Sequence, residues 1–225
     1  LPATADTVRA AVHRASDMIF ETIVGIPGAF STRIAYVNVN GEGDGREYRL
    51  VVADADGANA ATVVRSSEPI MSPAWSPDGR RVAYVSFEGK RSSVYIQELN
   101  TGNRKQVSAH PGINGAPAFS PDGRWLALTL SGNDGNPDIH ILNPATNEMR
   151  RLTRNPAIDT EPEWSRDGDS LFFTSDRSGG PQVYSVSASG QGSVQRVTFE
   201  GNYNARPRLA PDGESLAVVH NDRGN

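Results

Sequence analysis

The sequence has 225 residues, of which 37% are hydrophobic and 21% charged, and its formal net charge is −4. It contains no apolar stretch near the roughly 20 residues that a membrane-spanning helix needs. Its 22 basic and 26 acidic residues leave no positive excess for binding phosphates. The composition therefore predicts a globular chain with a buried core and argues against membrane insertion and nucleic-acid binding.

The sequence contains no cysteine, which excludes disulfides and thiolate metal sites but does not assign a cellular compartment. The first six residues lack the basic region and apolar core of a signal peptide. We therefore expect that any signal peptide has been removed or was never included.

Residues 5–25 have the spacing of an amphipathic helix. The apolar positions at helical spacing are Val8, Ala11, Val12, Ala15, Met18, Ile19 and Ile23. Gly25 is predicted to end this helix. Because one helix is too little for a domain, we expect residues 1–28 to be the last helix of a truncated amino-terminal domain.

A hairpin signature of the type Pro-Ala-Trp-Ser-Pro-Asp-Gly then occurs four times. The copies span residues 73–79, 117–123, 162–168 and 207–213, so their leading prolines stand 44, 45 and 45 residues apart. A period of about 40 to 50 residues with short strands between the copies is typical of propeller blades.

One repeat is enough to predict a four-stranded blade. Its predicted strands are residues 74–76, 81–87, 93–99 and 104–108. Pro77, Asp78 and Gly79 supply the turn between the first two strands. The second strand is apolar on both faces, as expected for a sheet packed between two neighbouring sheets. We predict an all-β propeller with four-stranded blades, preceded by one helix.

A weaker copy without the Pro-Asp-Gly turn precedes these four. Its residues 29–31 precede residues 33–37 much as residues 74–76 precede residues 81–85, which predicts a blade at about residues 29–72. The last copy stops after its second strand. We therefore assign residues 29–225 to an incomplete propeller of about four and a half blades. Because such a chain would leave an apolar blade face in water, we expect it to be a fragment.

Several segments carry a resemblance to a known family. They are residues 15–21, 25–30, 32–37, 71–79, 114–123, 160–164 and 174–184. Together they closely resemble the TolB family of periplasmic propeller proteins of the Tol-Pal system, along the whole chain and in the same order. The junction from helix to first blade makes this resemblance specific, because other propeller families carry similar turns.

The resemblance implies an amino-terminal α/β domain followed by a six-bladed propeller in the Gram-negative periplasm. It also implies binding to the peptidoglycan-associated lipoprotein Pal, and contact with TolA through an amino-terminal segment absent here. The system would support outer-membrane integrity during cell division, and colicins would exploit it for import.

No catalytic or cofactor signature accompanies the repeats, so neither enzymatic activity nor a cofactor is expected. The four histidines, His13, His110, His140 and His220, share no metal-ligand spacing. Residues 54–57 faintly resemble a calcium loop, but no glutamate closes the loop at its twelfth position, and a hairpin turn is favoured. Residues 133–136 and 176–179 are likewise predicted as hairpin connections.

Three functional classes remain open. A binding scaffold of the TolB type explains the repeats, the helix junction and the missing catalytic motifs. A propeller that gates a serine peptidase would need a hydrolase domain beyond residue 225. A lectin-like propeller would need an aromatic cluster in the channel, for which only Tyr203 is a candidate.

The segments that join one blade to the next form the expected Pal-binding face, because loops around a propeller channel commonly bind partners. The candidate residues are Glu68, Pro69, Ile70, Met71, Ile113, Asn114, Ala116, Asp159, Thr160, Glu161, Tyr203, Asn204 and Arg206. Asn114, Thr160 and Glu161 best fit a contact role. For the residue four before each leading proline, the alternative to partner contact is that it merely pins its segment to the blade. Asp134 is expected on the opposite rim.

Overall fold

The computed structural model describes residues 7–221, which form one helix, a short 3-10 turn at Gly43–Gly45 and 17 strands. The helix α1 spans Val8–Val24. The strands are β1 Arg33–Asn40, β2 Glu47–Asp54, β3 Ala61–Ser66, β4 Ile70–Trp75, β5 Arg81–Ser86, β6 Ser93–Glu98, β7 Arg104–Ser108, β8 Asn114–Phe119, β9 Leu126–Leu130, β10 Asp138–Leu142, β11 Met149–Arg151, β12 Asp159–Trp164, β13 Ser170–Ser175, β14 Gln182–Ser187, β15 Gln195–Arg196, β16 Tyr203–Leu209 and β17 Leu216–Asn221.

These strands form five antiparallel sheets in chain order. The first sheet is β1–β3, the second β4–β7, the third β8–β11, the fourth β12–β15 and the fifth β16–β17. Strands β4, β8, β12 and β16 begin the last four sheets, and we call them the inner strands. Each inner strand packs against the sheet before it. The predicted four-stranded propeller blades are therefore confirmed.

The second strand of each blade is shared between two cores, as its apolar pattern predicts. In β5, Val82 and Tyr84 pack with Leu50 of the first sheet. On the opposite face, Ala83 and Val85 pack with residues of the third sheet, among them Leu128. Because a period-two strand points successive side chains to opposite faces, one apolar run holds three sheets together.

The repeated turn has the chemistry predicted from its sequence. The hydroxyls of Ser76, Ser120 and Ser165 each donate to the aspartate two residues later, at 2.5 to 2.6 Å. The glycine that follows has a φ between 64° and 78° in these copies, which favours glycine over any residue with a side chain. Ala210 replaces the serine in the fourth copy and cannot make this bond.

The inner strands begin earlier than predicted. Residues assigned to inter-blade segments, such as Ile70–Ser72, lie inside these strands. Each inner strand carries a β-bulge, where its register with the second strand shifts, and the leading proline of the repeat lies at that bulge. Because proline has no N–H to donate, it fits where the ladder is interrupted. Because the bulge interrupts the alternation of side chains along the strand, a prediction based on that alternation places the start of the strand too late.

Helix α1 ends as predicted, with Gly25 in the left-handed conformation at φ 80°. Most of its predicted apolar stripe does not face the propeller, since Val12, Ile19 and Ile23 are exposed, whereas Ala11 is buried. The opposite face contacts the first sheet region instead. There, the Asp17 carboxylate accepts hydrogen bonds from the backbone N–H groups of Phe30 at 2.7 Å and Ser31 at 3.0 Å.

The first and fifth sheets have fewer strands than the others. Residues 29–31, the predicted counterpart of an inner strand, form no strand, and the first sheet begins at β1. Ile34 and Tyr36 of β1 and Val219 of β17 are exposed. The two ends of the sheet series therefore present apolar side chains to solvent.

Candidate functional site

The four inner strands surround a cavity of about 720 Å³. Five of the predicted contact residues line it: Met71, Ala116, Thr160, Glu161 and Arg206. They come from four different sheets, so the recurrence of the repeat, rather than proximity in sequence, brings them together. This central cavity is the candidate partner-binding site.

The bulges determine which side chains enter the cavity. Ser72, Ala116, Glu161 and Arg206 occupy the same position in the four inner strands, and their φ angles are 51°, 45°, 57° and 55°. Left-handed backbone is uncommon for residues other than glycine. Its recurrence at one position per blade shows that the bulge is a regular feature of the repeat, and it re-aims the side chain at that position.

Glu161 and Arg206 form the polar centre of the cavity wall. Arg206 Nε lies 3.0 Å from Glu161 Oε1. The second carboxylate oxygen of Glu161 accepts hydrogen bonds from Thr174 Oγ1 at 3.0 Å and from the backbone N–H of Arg206 at 3.1 Å. Glu161 therefore joins the fourth sheet to the fifth as well as facing the cavity.

The sequence reasoning missed two charged cavity residues, Glu163 and Arg208, which form a second ion pair between the same two sheets at 3.4 Å. Burial raises the pKa of the Glu163 carboxyl above its ordinary value, while the Arg208 charge and the Leu209 N–H oppose that rise. Each lies two residues after a predicted contact residue. Alternation along the inner strand was the signal that could have identified them.

An exposed apolar rim lies at the start of the inner strands. Met71, Ile113, Ile158 and Tyr203 are 51%, 49%, 50% and 41% exposed. Large apolar side chains around a polar cavity form a surface that is suited to protein contact. We call these four residues the mouth rim.

The connections between second and third strands lie at this same end of the blades. The N–H of Phe87 donates to Pro69 at 3.1 Å, that of Asp159 to Pro137 at 2.9 Å and that of Asn204 to Pro181 at 2.8 Å. Asp134 belongs to one of these connections, so its predicted place on the opposite rim is wrong. The opposite end of the second to fifth sheets carries the repeated turn at residues 76–79, 120–123, 165–168 and 210–213.

Four predicted contact residues are buried inside the blades, which corrects their assignment to the surface. Ile70 packs in an apolar core. Asn114, fully buried, accepts from Ser108 Oγ at 2.6 Å and from the His110 N–H at 2.9 Å. The buried Asp159 binds Arg177 through two contacts of 2.8 Å. Asn204 donates to Gln182 Oε1 at 2.9 Å. Their polar groups stabilise the blades instead of facing a partner.

The remaining candidates have local partners. Glu68 pairs with Lys90 beside the mouth, and the Pro69 carbonyl anchors Phe87. Residues 54–57 form the favoured turn, in which the Gly57 N–H donates to the Asp54 carbonyl at 2.8 Å. Within residues 7–221, no group of three or more His, Cys, Asp or Glu side chains is arranged to hold a metal ion. The helix in that range is too short and too polar to cross a membrane.

Comparison with known proteins gives a consistent result. The family model of the TolB beta propeller domain matches residues 20–225. A Tol-Pal system protein TolB of Methylococcus capsulatus is 59% identical over 116 residues, which are 52% of this chain and 27% of the relative. The TolB of Alcanivorax borkumensis is 56% identical over 128 residues, or 56% of this chain and 29% of the relative.

A solved structure agrees over the whole chain. The crystal structure of TolB from Acinetobacter baumannii superposes with a TM-score of 0.92 at 46% identity, covering 100% of this chain and 56% of that one. The chain thus spans little more than half of that protein, and its matched segments span less than a third of the two curated relatives. The chain belongs to the TolB β-propeller family of the Tol-Pal system.

Proposed function

We propose that this chain is part of a non-enzymatic binding scaffold and that it holds the lipoprotein Pal at the mouth of the central cavity. Its family membership supports a role in the Tol-Pal system and favours a scaffold over the peptidase and lectin alternatives. The observation that carries the location is the mouth rim, in which Met71, Ile113, Ile158 and Tyr203 remain exposed around a polar cavity.

The chemistry of this surface suits a protein partner. Protein interfaces combine apolar and aromatic anchors with a few directed polar contacts. Tyr203 of the fifth sheet offers a large aromatic anchor. In the neighbouring fourth sheet, the half-buried Thr160 offers a hydroxyl in the cavity wall. Arg206, whose side chain is 63% exposed, offers a cation that is already oriented by Glu161.

The wider role follows from the family and extends the same proposal. The protein would act in the periplasm, contact TolA through a segment outside this chain, support outer-membrane integrity during division, and be exploited by colicins. The exposed stripe of α1, with Val12, Ile19 and Ile23, supports a preceding domain that packs against this helix.

Hydrogen exchange of this chain, measured with and without Pal, tests the proposed surface. We expect Pal to slow exchange in residues 110–116, 156–161 and 200–206, because a docked partner shields the mouth from solvent. The turn residues 120–124 serve as an internal control at the opposite end of the blades. Protection of the turns without protection of the mouth would overturn the proposed location.

A further inference from the structure

An arginine joins neighbouring sheets at the turn end of the first two junctions. Arg33 of the first sheet donates to the Gly79 carbonyl oxygen of the second, and its guanidinium carbon lies 4.9 Å from the centre of the Trp75 ring. Arg81 of the second sheet repeats this contact, donating to the Gly123 carbonyl at 3.3 Å. Its guanidinium lies 5.2 Å from the Phe119 ring.

At the third junction a tryptophan occupies the position of these arginines. The Trp125 carbonyl accepts the Ser120 N–H at 2.9 Å, just as the Arg81 carbonyl accepts the Ser76 N–H at 3.0 Å, so the two positions are equivalent. The matching carbonyl and aromatic ring in the fourth sheet belong to Gly168 and Trp164. Among residues 7–221, no side chain donates a hydrogen bond to the Gly168 oxygen.

The cavity at this junction is larger than its counterpart. The space between the second and third sheets is about 250 Å³ and is lined by Arg81, Ile96 and Lys105, among others. The space between the third and fourth sheets is about 470 Å³. Trp125 and Ile141 line the larger cavity at the positions of Arg81 and Ile96. The ring of Trp125 does not occupy the space that an arginine side chain fills at the other junctions. It packs instead under Arg150, whose guanidinium carbon lies 4.7 Å from the ring centre.

The charges around the larger cavity favour a cation. Its two arginines are already paired, Arg124 with Asp122 and Arg150 with Glu148, each at 2.6 Å. Asp169, also in the cavity wall, is exposed, and its carboxylate forms no hydrogen bond or ion pair with any other described residue. Toward the described part of the chain, Asp167 uses only one carboxylate oxygen, Oδ1, which accepts from the Ser165 hydroxyl and the Asp169 N–H.

We propose that this cavity binds an arginine side chain of a partner polypeptide, in the place that Arg33 and Arg81 fill at the other junctions. The guanidinium would donate to the Gly168 carbonyl and to Asp169 while stacking beside Trp164. Arginine suits this site better than lysine because its planar fork can bind an oxygen and lie against an aromatic ring at once. The site lies at the turn end and is independent of the proposed Pal face.

The test is a titration of this chain with N-acetyl-arginine amide and, in parallel, N-acetyl-lysine amide, followed by two-dimensional NMR. We expect saturable shifts of the Trp125 and Trp164 indole N–H signals with arginine, and an affinity at least about 5-fold weaker with lysine. Equal affinities for the two compounds, or no shift of these signals, would overturn the proposal.

Two variants test whether arginine binds at this cavity. Trp125→Arg supplies the guanidinium from the chain itself, so it should abolish arginine binding and raise the melting temperature. Asp169→Asn should weaken arginine binding several-fold without changing the melting temperature, because the carboxylate is exposed. Glu214→Gln, at the equivalent position of the fifth sheet, is the matched control and should bind as the parent does. Unchanged binding in Asp169→Asn would overturn the proposal even if Trp125→Arg fails to fold.

Discussion

Glu161 and Arg206, at equivalent bulges of neighbouring sheets, are bound to each other, with Arg206 Nε 3.0 Å from Glu161 Oε1. The left-handed backbone at both positions turns the side chains along the wall of the central cavity. The same glutamate also holds Thr174 and the Arg206 N–H. A change at Glu161 would therefore alter the junction between sheets as well as the proposed binding face, and cleaner probes of binding lie on the mouth rim.

The bulge makes a direct prediction about backbone strain. Ala116 has a φ of 45°, where an alanine is less favourable than a glycine. We expect Ala116→Gly to raise the free energy of unfolding by roughly 0.5–1 kcal/mol, measured by denaturant titration. Ala118→Gly, two residues later in regular pairing with Ala127, is the control and should lower it by a similar amount. If Ala116→Gly and Ala118→Gly both lower the free energy of unfolding, the expected backbone strain at Ala116 is contradicted.

The repeated turn predicts a contribution to acid stability. Hydrogen bonds from the Ser120 hydroxyl and the Arg124 N–H lower the pKa of Asp122 to about 2. Because the folded pKa lies below the unfolded value of about 4, the stabilisation is complete above pH 4 and is lost as the pH falls towards 2. Asp122→Asn should therefore be less stable at neutral pH, and its stability should fall less between pH 4 and 2.

Asp212→Asn is the matched control for this turn. Within residues 7–221, Asp212 accepts only the Glu214 N–H at 2.9 Å, since Ala210 has no hydroxyl to donate. Thermal melts from pH 7 to 2 should show a smaller effect of this change than of Asp122→Asn. Equal effects of the two changes would show that the serine hydroxyl does not stabilise the aspartate.

The ion pair of Asp159 and Arg177 predicts a large stability effect. Asp159 is fully buried, and the Arg177 side chain is 16% exposed. Removing the cation in Arg177→Met would leave a buried carboxylate without its partner, so we expect a loss of about 3–5 kcal/mol in denaturant titration. Arg124→Met breaks an exposed pair and should cost less than about 1 kcal/mol. Similar losses in both variants would contradict the structural role of Asp159.

The apolar ends of the sheet series predict self-association of this chain. Ile34 is 40% exposed and Val219 is 53% exposed, at opposite ends of the series. We expect concentration-dependent association in sedimentation velocity, because these faces can be buried by another copy. Ile34→Lys combined with Val219→Lys should reduce it, whereas Ile113→Lys at the mouth should not. A monomer at every concentration would contradict this expectation.

Much of the blade could be predicted from sequence because its signals are local. The turn at residues 76–79 can be recognised from its composition, and strand β5 from its length and from apolar residues on both faces. The inner strands were harder, since the bulge beside Pro73 interrupts the alternation that identifies a strand.

The candidate site was predicted only in part. Asn114 and Asp159 look like surface residues in a sequence, but networks with Ser108 and Arg177 satisfy their polar groups in the interior. Only the three-dimensional structure shows which polar residues have such partners. Met71, Thr160 and Arg206 line the cavity as the recurrence of the repeat suggested.

Calorimetric titration of this chain and its variants with Pal tests the central claim most directly. Tyr203→Ala removes an exposed aromatic anchor of the mouth rim, and Thr160→Arg places a bulky cation in the cavity wall. Each should weaken binding by roughly 1–3 kcal/mol with little change in the melting temperature. Arg124→Ala, exposed at the turn end, should bind as the parent does. Normal binding by both Tyr203→Ala and Thr160→Arg, together with lost binding in Arg124→Ala, would contradict the proposed face.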